Sequence, residues 1–282
     1  MRQLLLATLA LAVGAAGAQA QAVRPFSTYR QWHGETRLLA RLEYAAGSLR
    51  VTAARPAELY RMDALYDEER FDPVSDFDAS TTAVALGVRA EGGGGLRVGS
   101  KGQLRQTAAV TFSPRTDLSL GVTLGAADAD LELGGLRLTD LDLQAGASRA
   151  TVRFAQPNAA RCRMASLRAG AAELTVLGLG NSRCERIAFE GGVGRVTLDF
   201  GGTWTTDSRV AVRMALGAVT LRLPRAVGVR ITPDRILSSF DPAGLVRQGS
   251  SYISPGYDRA ARHLDIDLTT AMGNVEVVWE EP

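Results

Sequence analysis

The side chains in this 282-residue chain that could do chemistry are few: two histidines, His33 and His263, two cysteines, Cys162 and Cys184, and scattered carboxylates. His263, Asp265 and Asp267 alternate, so on a strand they would share one face, the geometry a metal site requires. Asp140 and Asp142 make a second, shorter alternation. A hydrolase or lyase needs more: a nucleophile with its base, a carboxylate pair, or a full set of metal ligands. The calcium-binding phrase GGxGxDxUx is absent, and the glycines at 92–95 precede a strand pattern, so they do not form a phosphate loop. The sequence therefore assigns no catalytic residue, no metal ligand and no cofactor.

The elements that would position these groups come from a repeat. With Gly125, Gly146, Gly170, Gly192 and Ala215 set one above another, the same phrase returns at intervals of 21, 24, 22 and 23 residues. Apolar residues stand five and three places before each anchor and four and six after it, as in Ile187, Phe189, Val196 and Leu198. That spacing of two means strands with one face turned inward. A period of twenty-odd residues means stacked units that bury their faces against one another. An early copy is anchored at Ala45 with Gly47, a late one at Ala271 with Gly273, and a looser one with a longer corner lies around Gly92 to Gly95. The fold class is all-β: a parallel solenoid of rungs, each with two strands joined at a glycine corner, where positive φ is expected.

Several expectations follow from this register. Leu120, Leu141, Ile187, Val210 and Ile266 should form one inward stack, interrupted by the small Ala165. Leu131, Val152, Val176, Leu198, Leu221 and Val277 should form the other. Outward charges should alternate in Arg168, Glu190 and Arg213, in Glu132 with Arg153, and in Asp199 with Arg222. The outward position five past each anchor is Thr151, Thr175, Thr197 and Thr220, a β-branched ladder that favours strands and carries no reactive group. His263, Asp265 and Asp267 occupy the places of Cys184, Arg186 and Ala188 in another rung, so they read as a solvated outer face.

The cysteines fall eight residues before Gly170 and Gly192, the same place in adjacent rungs. Stacked positions lie about 4.8 Å apart, within reach of a disulfide. Residues 1–20 carry Arg2, an apolar run and small residues before Ala20, a secretory signal that delivers the chain to an oxidising compartment where such a bond persists. No later segment is apolar enough to span a membrane. Residues 21–34 read as a linker and 35–282 as one domain. Lys and Arg number 32 against 30 acids, and no basic stripe interleaves with aromatics, so a nucleic-acid partner is not expected.

Between 224 and 262 the repeat breaks. Pro224, Pro233, Pro242 and Pro255 punctuate the stretch, and Phe240, Tyr252 and Tyr257 stand among Ser and Gly. Two readings stay open: a loop that covers an end of the solenoid, or a binding flap.

The opening Gly47-Ser48-Leu49-Arg50-Val51 strand, then Leu59-Tyr60, Tyr66 and Pro73, then the glycine-cornered rungs, resemble the toast-rack domain. The closing LPRAVGVRI and the stretch from Phe240 to Val277 agree, so the resemblance spans Glu35 to Trp279. It implies a β-solenoid like the extracytoplasmic part of Lia-type proteins, which respond to cell-wall-active antibiotics, and like adhesin candidates. It brings no catalytic set, and the membrane helices of the Lia-type proteins have no counterpart here. The favoured function is a secreted, non-enzymatic envelope or surface binding protein whose partner is an unidentified envelope component. The alternative is a polysaccharide-active β-helix enzyme with its site in the 224–262 stretch.

Overall fold

A computed structural model describes residues 23–91 and 105–280. The expected signal segment at 1–20 and the glycines at 92–95 lie outside the described residues. The centre of the fold is a stack of long parallel strands: β2 (Arg37–Ala53), β7 (Asp117–Glu132), the β8 (Arg137–Ala145) and β9 (Arg149–Arg153) pair, β10 (Cys162–Leu177), β11 (Cys184–Asp199) and β12 (Ser208–Leu223). Each rung bends at its middle, so the sheet has two walls that meet along a corner. The first wall is built from the residues before the bend, the second from those after it.

Both inward stacks are in register. Leu120, Leu141, Ala165, Ile187, Val210 and Ile266 pair rung to rung. So do Leu131, Val152, Val176, Leu198, Leu221 and Val277. All are buried in one continuous core. Connections between rungs close the remaining side with Phe154, Leu179 and Phe200, and Asn158 ties two of them to the start of β8. Its amide donates to the carbonyls of Leu138 (2.7 Å) and Ser182 (3.0 Å) and accepts the Leu138 N–H (2.8 Å).

The corner differs from the expectation in one detail. The anchor glycines do not take positive φ; in the first and the later rungs the glycine two places past the anchor does, at Gly47, Gly194, Gly217 and Gly273, and at Gly217 (φ 143°) a methyl would run into the Gly194 carbonyl oxygen. The anchors are small for another reason: a Cβ on Gly192 would lie 2.7 Å from the Gly170 carbonyl oxygen, because rungs at hydrogen-bonding distance crowd at the bend.

The ends also depart from the sequence reading. The stretch 21–34, read as a linker, holds β1 (Val23–Gln31), which pairs antiparallel with β3 (Glu58–Asp67). Phe26 and Trp32 pack on the core, which an unstructured linker would not do. β3 pairs with β6 (Thr107–Phe112), and β4 (Phe71–Asp78) with β5 (Ala83–Ala90); β5 and β6 together form the rung laid against β2. The antiparallel pairs shield that end of the sheet.

The region 224–262 is not one loop. Gly228–Asp241 forms β13, a complete rung, and the final strand β16 (His263–Trp279) inserts between β12 and β13. The chain therefore skips a place, turns back through the short β14 (Val246–Gln248) and β15 (Ser251–Ile253), and fills the gap last. Pro233 and the lost glycine anchor hid this rung, because a proline inside a run argues against a central strand.

Candidate functional site

Outward side chains stack in columns as regularly as inward ones. On the second wall, three places past the corner, Asp128, Arg149, Glu173 and Arg195 alternate in sign, and Arg149 reaches both Asp128 (3.5 Å) and Glu173 (3.4 Å). Beside them the Thr151, Thr175, Thr197 and Thr220 ladder is in register. On the first wall, Arg168, Glu190 and Arg213 share a column; Arg213 meets Glu190 at 3.4 Å, while Arg168 turns to Asp142 at 3.0 Å. Arg153 is paired in register with Glu132 but bonds Asp130, one column over. Asp199 and Arg222 face each other in register without forming an ion pair.

One column breaks the alternation. On the first wall Met164, Arg186, Arg209 and Asp265 are successive, so two arginines lie side by side. They line an open hollow of about 630 Å³ with Arg161, Arg163, Asp207 and Tyr257. Every acid there is already engaged. Glu185 pairs with Arg161, Asp207 accepts the His263 backbone N–H at 3.0 Å, and Asp265 accepts the Tyr257 hydroxyl at 2.7 Å. Arg163 reaches out of the hollow to Asp140 at 2.7 Å. Among the described residues, Arg186 and Arg209 have no carboxylate within ion-pair distance.

The structure separates the three aromatic residues that the binding-flap reading would bring together. Phe240 lies on β13 and meets Tyr252 of β15 edge to face, ring centroids 5.2 Å apart. Tyr257 is elsewhere, buried on a single helical turn, Tyr257–Arg259, under the Arg230 guanidinium (4.5 Å) and against the His263 ring (4.7 Å). Burial and the bond to Asp265 push its phenol up to about 12. The His263 ring contacts the Tyr257 carbonyl at 3.1 Å. His263 and Asp265 thus serve to seat Tyr257, and among the described residues no cluster of three or more His, Cys, Asp or Glu could hold a metal ion.

Cys162 and Cys184 are joined by a disulfide at the foot of the first wall, their Cα atoms 4.2 Å apart. Both are buried, whereas the strand alternation had placed Cys184 on the outer face. The reason is local. The alternation slips by one between Cys184 and Ile187, leaving Glu185 and Arg186 both turned outward, and it slips in the same way between Cys162 and Ala165 of the neighbouring strand.

Residues 21–177 match the sequence family described as the N-terminal domain of toast-rack. The chain belongs to the toast-rack family. Residues 180–277 match a second description, cell wall-active antibiotics response LiaF, C-terminal. No curated protein matches the chain. Among solved structures it is similar to a candidate cell adhesion protein of Clostridium sporogenes, at 14% identity and TM-score 0.48, over 92% of this chain and 100% of that one. A candidate adhesin of Parabacteroides merdae aligns at 9% identity and TM-score 0.41, over 92% of this chain and 96% of that one.

The toast-rack corner carries a second surface feature, at a position outside the apolar places that define the repeat. One place past each anchor stand Ala126, Ala147 and Ala171 in the early rungs, then Val193, Leu216, Met272 and Leu237 in the later ones. The last four pair in register and are exposed, Leu237 at 71% and Val193 at 53%. Beside Leu237, Ile236 is 77% exposed. Comparing that single position across the copies would have shown the ridge, as comparing the place six before the anchor would have shown Arg186 above Arg209.

Proposed function

We propose that this toast-rack protein is a non-enzymatic binding protein of the cell envelope or surface, adhesin-like in its use of a rigid solenoid as a recognition platform. The observation that carries the reading is the apolar corner ridge, Val193 to Leu237, continuous across four neighbouring strands. A soluble monomer seldom leaves such a ridge bare, and rims of this kind mark interaction sites. Apart from Arg186 and Arg209, the outward side chains of the central columns are largely threonines and charges paired among themselves, which suits a scaffold better than a catalyst. The match to a cell-wall antibiotic response domain points the same way for the partner, an envelope component. The disulfide suits an oxidising compartment, and with it a leader removed near Ala20. Among the described residues no helix is long and apolar enough to cross a membrane.

Co-sedimentation of the purified protein with isolated envelope, with parallel product assays on peptidoglycan and polyuronates, tests this reading. The expected result is retention that falls when Leu216→Asp and Met272→Asp are combined, with no product released. Turnover that is lost on replacing an acidic residue would overturn it.

A further inference from the structure

We propose that the hollow around Arg186 and Arg209 is a binding site for an oxyanion, a carboxylate or phosphate carried on an anionic polymer of the envelope. The inference rests on the envelope-binding reading and adds the ligand's chemistry. Arg186 and Arg209 are in register on adjacent parallel strands, whose backbones stand about 4.8 Å apart, and like charges so placed repel. Everywhere else on the central rungs the outward columns avoid this: Arg137 has Asp117, Arg149 has Asp128 and Glu173, Arg163 has Asp140, and Arg213 has Glu190. Paired arginines such as Arg149 and Arg168 also line surface hollows, so what sets the Arg186–Arg209 hollow apart is that neither of these two arginines has a carboxylate partner among the described residues.

The hollow also shows how the pair is kept free. Asp265 is directly across from Arg209 in the next strand and would neutralise it. Instead Tyr257 holds that carboxylate at 2.7 Å, and Tyr257 is fixed by burial, by Arg230 over its ring and by the His263 contact. Asp207 is spent on a backbone N–H, and Glu185 on Arg161. What remains are two planar guanidiniums whose donors match the two oxygens of a carboxylate or phosphate. An anion seated between them removes the repulsion and satisfies both. Below, the Cys162–Cys184 bridge fixes the strand that carries Arg186.

The test compares charge at two places on the same wall. Full-length oxidised protein is titrated with polygalacturonate, with inorganic polyphosphate and with neutral dextran as the control. Two double variants remove equal charge: Arg186→Gln with Arg209→Gln, and Arg168→Gln with Arg213→Gln, whose arginines already have acidic partners. Wild type should bind at least one polyanion and not dextran, with affinity that falls as salt rises. The first double variant should lose about tenfold or more, and the second should change little. Preference between the two polyanions identifies carboxylate or phosphate as the natural group. Equal losses in both variants, or none in either, would overturn the site while leaving envelope binding intact. Envelope retention that fails in wild type would instead sink the broader reading.

Discussion

The two walls of the solenoid have the same backbone, the same register and the same stock of residues, yet their outer faces differ. On the second wall charges alternate rung by rung from Asp128 to Arg195, and threonines fill the next column. On the first wall the same spacing sets Arg186 against Arg209 and leaves both without an acid. Folding alone accounts for the second wall, because alternating signs and β-branched ladders are what parallel stacking favours. Folding alone disfavours the Arg–Arg contact. A stacked fold thus supplies its own reference: where one column departs from what neighbouring rungs do, a demand other than stability is acting there.

The largest expected effects show that the walls are equal inside. Ile187→Ala on the first wall and Leu198→Ala on the second should each cost about 2–5 kcal/mol, measured by urea unfolding. A several-fold smaller cost on either wall would mean that the core is not shared. Next is the disulfide, which clamps only the first wall. It joins residues 22 apart, so replacing both cysteines with Ala should cost about 3 kcal/mol by the chain-entropy argument. Mass spectrometry of the unreduced protein that finds two alkylatable thiols would remove the clamp from the account.

Tyr257 comes third. Tyr257→Phe should cost about 1 kcal/mol at neutral pH, by losing the bond to Asp265. Its folded value is pushed up to about 12 from the usual 10, so its share of stability is complete below pH 10 and is lost as pH rises through 12. The gap between wild type and Tyr257→Phe should close over that window. The same substitution frees Asp265 to pair with Arg209 and should weaken polyanion binding. The smallest effect exchanges the walls. Arg186→Thr with Arg209→Thr should raise stability in ligand-free buffer, and Thr175→Arg with Thr197→Arg should lower it, each by up to about 1 kcal/mol. Thermal unfolding at low salt reads both, and two changes of the same sign would break the comparison.

Most of the architecture was legible because a repeat with one buried face states its own register: Leu131 through Val277 could be stacked from spacing alone. The ends were not. β1 and β13 bury only part of one face, Pro233 breaks the phrase, and the position of β16 between β12 and β13 is a choice of order that no local pattern encodes. Cys184 falls on the other face from the one the spacing predicts, because the alternation slips by one just after each cysteine, between Cys162 and Ala165 and between Cys184 and Ile187. The site was the least legible part. Arg186 and Arg209 are ordinary outward residues until rung pairing puts them together, and Arg209's lack of a partner depends on Tyr257, which arrives from 48 residues beyond it to hold Asp265.

The most direct measurement is a crystal structure of the oxidised protein grown with trigalacturonate, and another grown with tripolyphosphate. At least one of them should hold an oxyanion between the two side chains, within about 3 Å of both the Arg186 and the Arg209 guanidinium, with Tyr257 still bonded to Asp265. A hollow without either anion, or Arg209 turned onto Asp265 in its place, would contradict the proposed site.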